Sequence, residues 1–339
     1  MEERIAVVVT SIAGPNEALR KLAAGCTDRG HYFTVIGDAA SPADFSLDGC
    51  DFYSLERQKQ TGLEFAQNCP TKHYARKNIG YLLAIKNGST VIIETDDDNI
   101  PLDNFRQQRK RTQNVPIIES AGWVNAYKYF TDANIWPRGF ALEHLADDTP
   151  DFDSLPKKQA DCPIQQGLAD DNPDVDAIYR LTLPLPQKFR FDRRVALGAG
   201  SICPFNSQNT TWFADAFELL YLPAYCSFRM TDIWRSFIAQ KIAALNGWAV
   251  LFHEPTMFQQ RNVHNLLKDF EDEIPGYLNN TKICASLDQL PLKPGLEKIP
   301  DNLKLCYEKL IEMKLVGTKE LPLLENWLYD LAQIRPTRQ

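Results

Sequence analysis

The sequence predicts an α/β protein built on a doubly wound, largely parallel sheet. Short β-branched runs alternate with helical patterns over the first hundred residues. The runs are apolar throughout rather than alternating, as strands buried on both faces are. An acidic triplet closes the third run, where open α/β sheets bind their ligands.

Residues 5–10 (Ile-Ala-Val-Val-Val-Thr) read as a central strand, followed by a turn through Gly14 and Pro15. Residues 16–24 read as a helix with Pro15 near its start. Residues 32–36 read as a second strand, closed by Gly37-Asp38. Residues 74–86 carry Ile79, Leu82, Leu83 and Ile85 at helical spacing, with Gly88 as a stop. Residues 91–94 form a third strand, and Asp96-Asp97-Asp98-Asn99 follows at its carboxyl end. This alternation is the pattern of a parallel sheet with crossover helices.

Residues 131–174 are rich in Pro, Asp and Lys and read as loops and short elements. A strand is expected over 175–181, helices over 211–222 and 232–245, and a strand over 248–252. Beyond 266 the pattern turns helical, with 3.6-residue apolar spacing over 303–313 and 321–331. The expected organisation is therefore one α/β domain over 1–265 and a helical extension over 266–339.

The chain has 339 residues, with 44% hydrophobic and 24% charged residues, an ordinary globular composition. The net charge of −7 argues against a nucleic-acid partner. A phosphate ligand would then need a metal or a local basic cluster. The eight cysteines form no C-x-x-C pair and read as buried apolar residues of a reducing compartment. The N-terminus lacks a signal-peptide pattern, and no stretch reaches the ~18 apolar residues of a membrane span. The expected location is cytoplasmic, without a transmembrane segment.

On an extended segment Glu94, Asp96 and Asp98 share one side and Asp97 takes the other. Carboxylates this close repel, so a cation is expected among them. Their oxygens suit Mn²⁺ or Mg²⁺ bridging to a diphosphate. An EF-hand is excluded by Ile100-Pro101, and neither a G-x-G-x-x-G nor a Walker A sequence is present. The competing reading is a solvated turn capping a following helix.

Several further segments carry a family resemblance: Arg76-Lys77-Asn78-Ile79-Gly80-Tyr81, Gln165-Gln166-Gly167-Leu168, Asn172-Pro173-Asp174-Val175-Asp176-Ala177, Arg180-Leu181-Thr182 and Thr231-Asp232-Ile233-Trp234-Arg235. In this order they resemble the STELLO family of glycosyltransferases, across roughly residues 1–265. A more distant resemblance is to the reversibly glycosylated proteins, which include UDP-arabinopyranose mutases. It rests on the Asp triplet, Arg138-Gly139-Phe140 and Asp232-Ile233-Trp234.

Both resemblances imply a GT-A-like fold, a mixed sheet flanked by helices, and a nucleotide-diphosphate sugar ligand. The first implies transfer of a hexose from a UDP-sugar to a glycan or glycoconjugate acceptor, with inversion. The second implies isomerisation, with Arg138 open to self-glycosylation. A non-catalytic scaffold is a third alternative. Thr10 and Ser11 are expected near the nucleoside, and Asp38 near the base. Arg76, Lys77 and Arg138 are expected near the diphosphate. Asp96 and Asp98 are the expected metal ligands, with Asp97 toward ribose or sugar and Asp232 as general base. The third protein ligand is expected to be His264, with His253 and Gln259 as alternatives. Trp212 and Trp234 are candidate sugar platforms or core residues.

Overall fold

The computed structural model describes residues 3–260 and 265–335, with the side chain of Arg106 left out. The strands are β1 (Ile5–Thr10), β2 (Tyr32–Ile36), β3 (Asp51–Tyr53), β4 (Val91–Thr95), β5 (Asn99–Pro101), β6 (Thr112–Ile118), β7 (Gly122–Trp123), β8 (Lys157–Asp161), β9 (Ile164–Asp170), β10 (Arg194–Leu197), β11 (Ser201–Ile202), β12 (Asn209–Phe213) and β13 (Val250–Gln259). The helices are α1 (Glu17–Thr27), α2 (Leu55–Lys59), α3 (Glu64–Asn68), α4 (Lys77–Lys86), α5 (Ala177–Thr182), α6 (Thr231–Leu245), α7 (Leu266–Asp288), α8 (Ile299–Glu312) and α9 (Glu320–Ile334).

Among the described residues these strands make an eleven-stranded sheet, ordered β3-β2-β1-β4-β12-β9-β13-β10-β6-β8, with β5 paired to β13. The β3-β2-β1-β4 half is parallel. Beyond it β12 runs antiparallel to both β4 and β9, so the sheet is mixed. The fold is thus the expected mixed α/β sheet flanked by helices. The parallel half brings the carboxyl ends of β1, β2 and β4 to one edge.

Two expected elements are replaced. Residues 175–181, expected as a strand, end in helix α5, because the Asp176 side chain caps it by accepting from Tyr179 N at 2.7 Å. Residues 211–222, expected as a helix, form the end of β12 and then a 3₁₀ segment, Ala214–Leu220. The β-branched Thr210-Thr211 pair sits between β4 and β9, and sheet pairing overrides the helical spacing.

One large core lies on the sheet face covered by α4, α6, α8 and α9, and a smaller one lies under α1 on the other face. Helix α4 is buried from Lys77 to Ile85, so it has no solvent stripe. A Cβ on Gly80 would stand 2.5 Å from Val8 Cγ1, so glycine there lets α4 lie against β1. Six of the eight cysteines are buried. Trp212 and Trp234 are both fully buried core residues, donating to Glu94 at 2.8 Å and to Asn280 at 3.0 Å. No helix among the described residues is long and apolar enough to cross a membrane.

At the centre, Glu94 of β4 is fully buried. It accepts from Arg235 of α6 at 2.8–2.9 Å, from Trp212 of β12 and from the Tyr81 hydroxyl of α4. Replacing one member of such a group leaves the other charge buried and unpaired. Glu94→Ala is expected to lower unfolding free energy by about 3–5 kcal/mol. Urea denaturation measures this, and a loss below about 1 kcal/mol would contradict the keystone role.

Candidate functional site

The carboxyl ends of β1, β2 and β4 open into a cleft of about 460 Å³. Thr10, Ser11, Asp38, Arg76, Asp96, Asp97, Asp98, Arg138 and Asp232 all line it. The structure thus gathers most of the residues that the sequence singles out. Lys77 lies behind the cleft wall, and His264 lies outside the described residues.

The acidic turn is held from two sides. Asn16 caps α1 by accepting from Leu19 N at 3.0 Å, and its amide donates to Asp97 O at 2.7 Å. The Ser11 hydroxyl donates to the Asp97 carboxylate. Lys77 is fully buried, and its ammonium donates to Asp96 Oδ1 at 2.7 Å and to Thr95 O at 2.9 Å. Lys77 thus neutralises Asp96 from inside the fold. Burial pushes the Asp96 carboxyl up, and Lys77 opposes that shift. Burial likewise raises Asp97, against the Ser11 hydrogen bond.

Arg76 is also buried, but its guanidinium meets only neutral acceptors, Gln58 Oε1 at 2.9 Å and Cys69 O at 2.8 Å. Asp38 joins strand end to helix start. Its oxygens accept from Ala39 N at 2.7 Å and from His73 N at 3.0 Å.

The far wall is a charge sandwich. A Cβ on Gly139, whose φ is +84°, would clash with Ile233 at 2.3 Å, so the Arg138-Gly139 turn packs directly on α6. Arg138 then donates to both oxygens of Asp174 at 2.8 Å and to Asp232 at 2.9 and 3.1 Å. Asp232 also accepts from the Tyr74 hydroxyl at 3.1 Å and from Ser207 N at 3.1 Å. Burial alone would raise both carboxyls, but the Arg138 guanidinium outweighs it and holds each below the usual range. Asp174, Tyr74, His73, Phe228, Arg229 and Ser207 complete the walls. Of these, Asp174 stands inside a segment that carries the family resemblance, whereas Phe228 and Arg229 give no local signal.

The donor set can be tested against a divalent cation. Gln259 donates to Asp98 Oδ2 at 3.1 Å, and its own Oε1 is buried without a hydrogen-bond partner. An amide oxygen beside a carboxylate fits a hard cation that keeps substrate phosphates as its other ligands. Among the described residues no group of three or more His, Cys, Asp or Glu forms a protein-only cage. His253 does not line the cleft, and burial pushes its imidazole down to about 3.

The model of the STELLO glycosyltransferases matches residues 229–337. That match starts at Arg229 in the cleft wall and runs through α7, α8 and α9, so the family pattern extends into the expected helical extension. Two Arabidopsis thaliana relatives are "Probable glycosyltransferase STELLO2", 29% identical over 97% of this chain, and "Probable glycosyltransferase STELLO1", 30% identical over 74% of it. The alignments cover 44% and 34% of those proteins, so the chain spans less than half of their length. A solved structure of a mycobacterial protein aligns with a TM-score of 0.41 and 10% identity, over 82% of this chain and 74% of that one.

The charge sandwich makes a pH-dependent prediction. The depressed pKa values of Asp174 and Asp232 contribute stability above the unfolded carboxyl value near ~4, and lose it as pH falls below. Arg138→Met leaves two buried carboxylates facing each other, whose pKa values then rise. Its deficit is expected to be about 3–5 kcal/mol at pH 7.5 and to narrow toward pH 5 as those carboxyls protonate. Urea midpoints at the two pH values measure this; a deficit that is constant or grows on acidification contradicts it.

Proposed function

We propose that the cleft binds a nucleotide-diphosphate sugar, with UDP as the nucleotide, and that the protein transfers the sugar to a hydroxyl of a glycan or glycoconjugate. The observation that supports this most is the convergence of the Asp96–Asp98 turn with Ser11, Arg138 and Asp232 at the carboxyl ends of the parallel strands. The similarity to STELLO glycosyltransferases supports it further.

In this reading Thr10 and Ser11 meet the nucleoside. Asp38 keeps lone pairs beyond its two backbone bonds to receive a base N–H. Asp98 and Gln259 would hold Mn²⁺ or Mg²⁺, which when bound would supply Lewis-acid stabilisation to a diphosphate leaving group. Asp96 shares that edge while paired to Lys77, which keeps the turn from collapsing by self-repulsion. Arg76 adds positive charge that pairs with no carboxylate among the described residues.

Asp232 is the proposed general base in an inverting transfer. It is ionised at neutral pH, as a base must be before the step. An acceptor hydroxyl reaches it by taking the place of the Tyr74 hydroxyl on Oδ1. The Arg138 guanidinium is engaged at all three nitrogens. It is thus poorly suited to accept a sugar, which favours an external acceptor over self-glycosylation and isomerisation.

Two measurements test this. Thermal melting with a panel of nucleotide sugars, with and without Mn²⁺, is expected to give a shift that needs both metal and a UDP-sugar. Saturation at 100 Kd corresponds to about 2.7 kcal/mol. Asp98→Asn is expected to remove the metal-dependent part and leave the unliganded melting temperature intact. Absence of any shift across the panel rejects the nucleotide-sugar reading. Asp232→Asn is expected to lower kcat by about 10²–10⁴-fold while the donor-induced shift persists. Turnover at the wild-type rate removes the base assignment, and product formed without acceptor points to isomerisation.

A further inference from the structure

We infer that the opposite face of the sheet carries a second ligand site, which takes an organic anion with an apolar body. The site is a hollow of about 290 Å³ between α1 and the segment at residues 103–109. Its floor is the reverse side of β1 and β4. Val7, Leu22, Ile93 and Phe105 form it, each no more than 7% exposed.

The rim is basic. Among the described residues, Lys21, Arg29, His31 and Arg109 line it against a single carboxylate, Glu3, which accepts from Gln108 at 3.2 Å. Lys21 pairs with Glu17 at 2.8 Å along its own helix. A cluster of this sign does not follow from the chain as a whole, whose net charge is −7. It is also opposite in character to the carboxylate-lined cleft.

Arg109 carries the argument furthest. Its guanidinium donates to Phe105 O at 3.0 Å and to Thr256 Oγ1 at 3.4 Å, and no carboxylate pairs with it among the described residues. Its Nε is buried without any hydrogen-bond partner. A buried, unsatisfied donor on a cation is costly unless something fills the position. Burial lowers the Arg109 pKa to about 10, only partly offset by Glu254. Burial, and then Arg29, lower that of His31. Arg109 thus stands in surroundings that disfavour its charge, and an anion in the hollow relieves that cost and favours protonation of the neutral His31 imidazole.

The floor decides between a bare anion and a larger one. An inorganic phosphate would meet the rim but leave the apolar hollow wet or empty. A ligand with an apolar body removes that surface from water while its charged end meets Arg109 and His31. The volume lies at the lower end of ligand pockets, which start at roughly 300 Å³. This site is independent of the reading given to the cleft.

Calorimetric titration of the whole chain with octyl phosphate, inorganic phosphate and octanol, below micelle-forming concentrations, tests the inference. Octyl phosphate is expected to bind once per chain and at least ten-fold tighter than either of the others. Excess UDP with Mn²⁺ is expected not to displace it. Arg109→Gln should weaken it at least five-fold. The double substitution R29Q/H31Q on the exposed rim should do the same without changing the melting temperature, which keeps the test valid if Arg109→Gln folds poorly. Undetectable binding, equal binding by inorganic phosphate or by octanol, displacement by UDP, or an unchanged affinity in R29Q/H31Q would each overturn it.

Discussion

The geometry of the cleft depends on a charge buried far from water. Glu94 sits two residues before the acidic turn, and its carboxylate ties β4 to α4, α6 and β12 at once. Arg235, its partner, stands one helical turn after Asp232 on α6. A single turn of α6 therefore presents one side chain to the core and another to the cleft. Fixing Arg235 against Glu94 fixes the distance between Asp232 and the acidic turn. An apolar replacement would not lock the rotation of α6 about its axis, because apolar packing is not directional.

The cleft itself is a problem in charge balance that the chain solves locally. Six carboxylates line it, Asp38, Asp96, Asp97, Asp98, Asp174 and Asp232, and two buried cations answer three of them. Lys77 neutralises Asp96 from behind, while Arg138 divides itself between Asp174 and Asp232. Asp97 is tied through hydrogen bonds to Ser11 and Asn16 rather than by a cation.

The parallel half of the sheet is legible in the sequence because its strands are buried on both faces and read as uninterrupted Ile and Val. Strand β9 is equally buried, yet its Ile-Gln-Gln-Gly-Leu-Ala-Asp sequence looks polar. Its glutamines satisfy backbone carbonyls inside the sheet, Gln165 reaching Lys110 O at 2.8 Å and Gln166 reaching Asn209 O at 3.3 Å. Such partners lie tens of residues away, so no local pattern announces them. The same limit applies to the cleft. The acidic turn stands out through its place after a strand, but the Arg138–Asp232 contact spans 94 residues and appears only once α6 is packed. Arg76 and Lys77 show the converse: nothing in two adjacent cations announces burial, yet both are buried in the fold.

The C-terminal helices belong to this same network. Glu273 of α7 accepts from Ala177 N at 2.7 Å, at the start of α5, and from Arg229, whose carbonyl receives Arg138. Glu320 of α9 accepts from Ala224 N and Tyr225 N, in the loop that leads to Phe228 and Arg229. Asp330 accepts from Glu64 N and Phe65 N, capping α3, which has no side-chain cap of its own. Each of these carboxylates satisfies backbone N–H groups that the earlier part of the chain leaves open, as helix caps do within one element. An unpaired buried N–H is costly, so the earlier segments and these helices stabilise one another. The far wall of the cleft, with its Arg138 sandwich, is therefore held in place by helices from the last quarter of the chain.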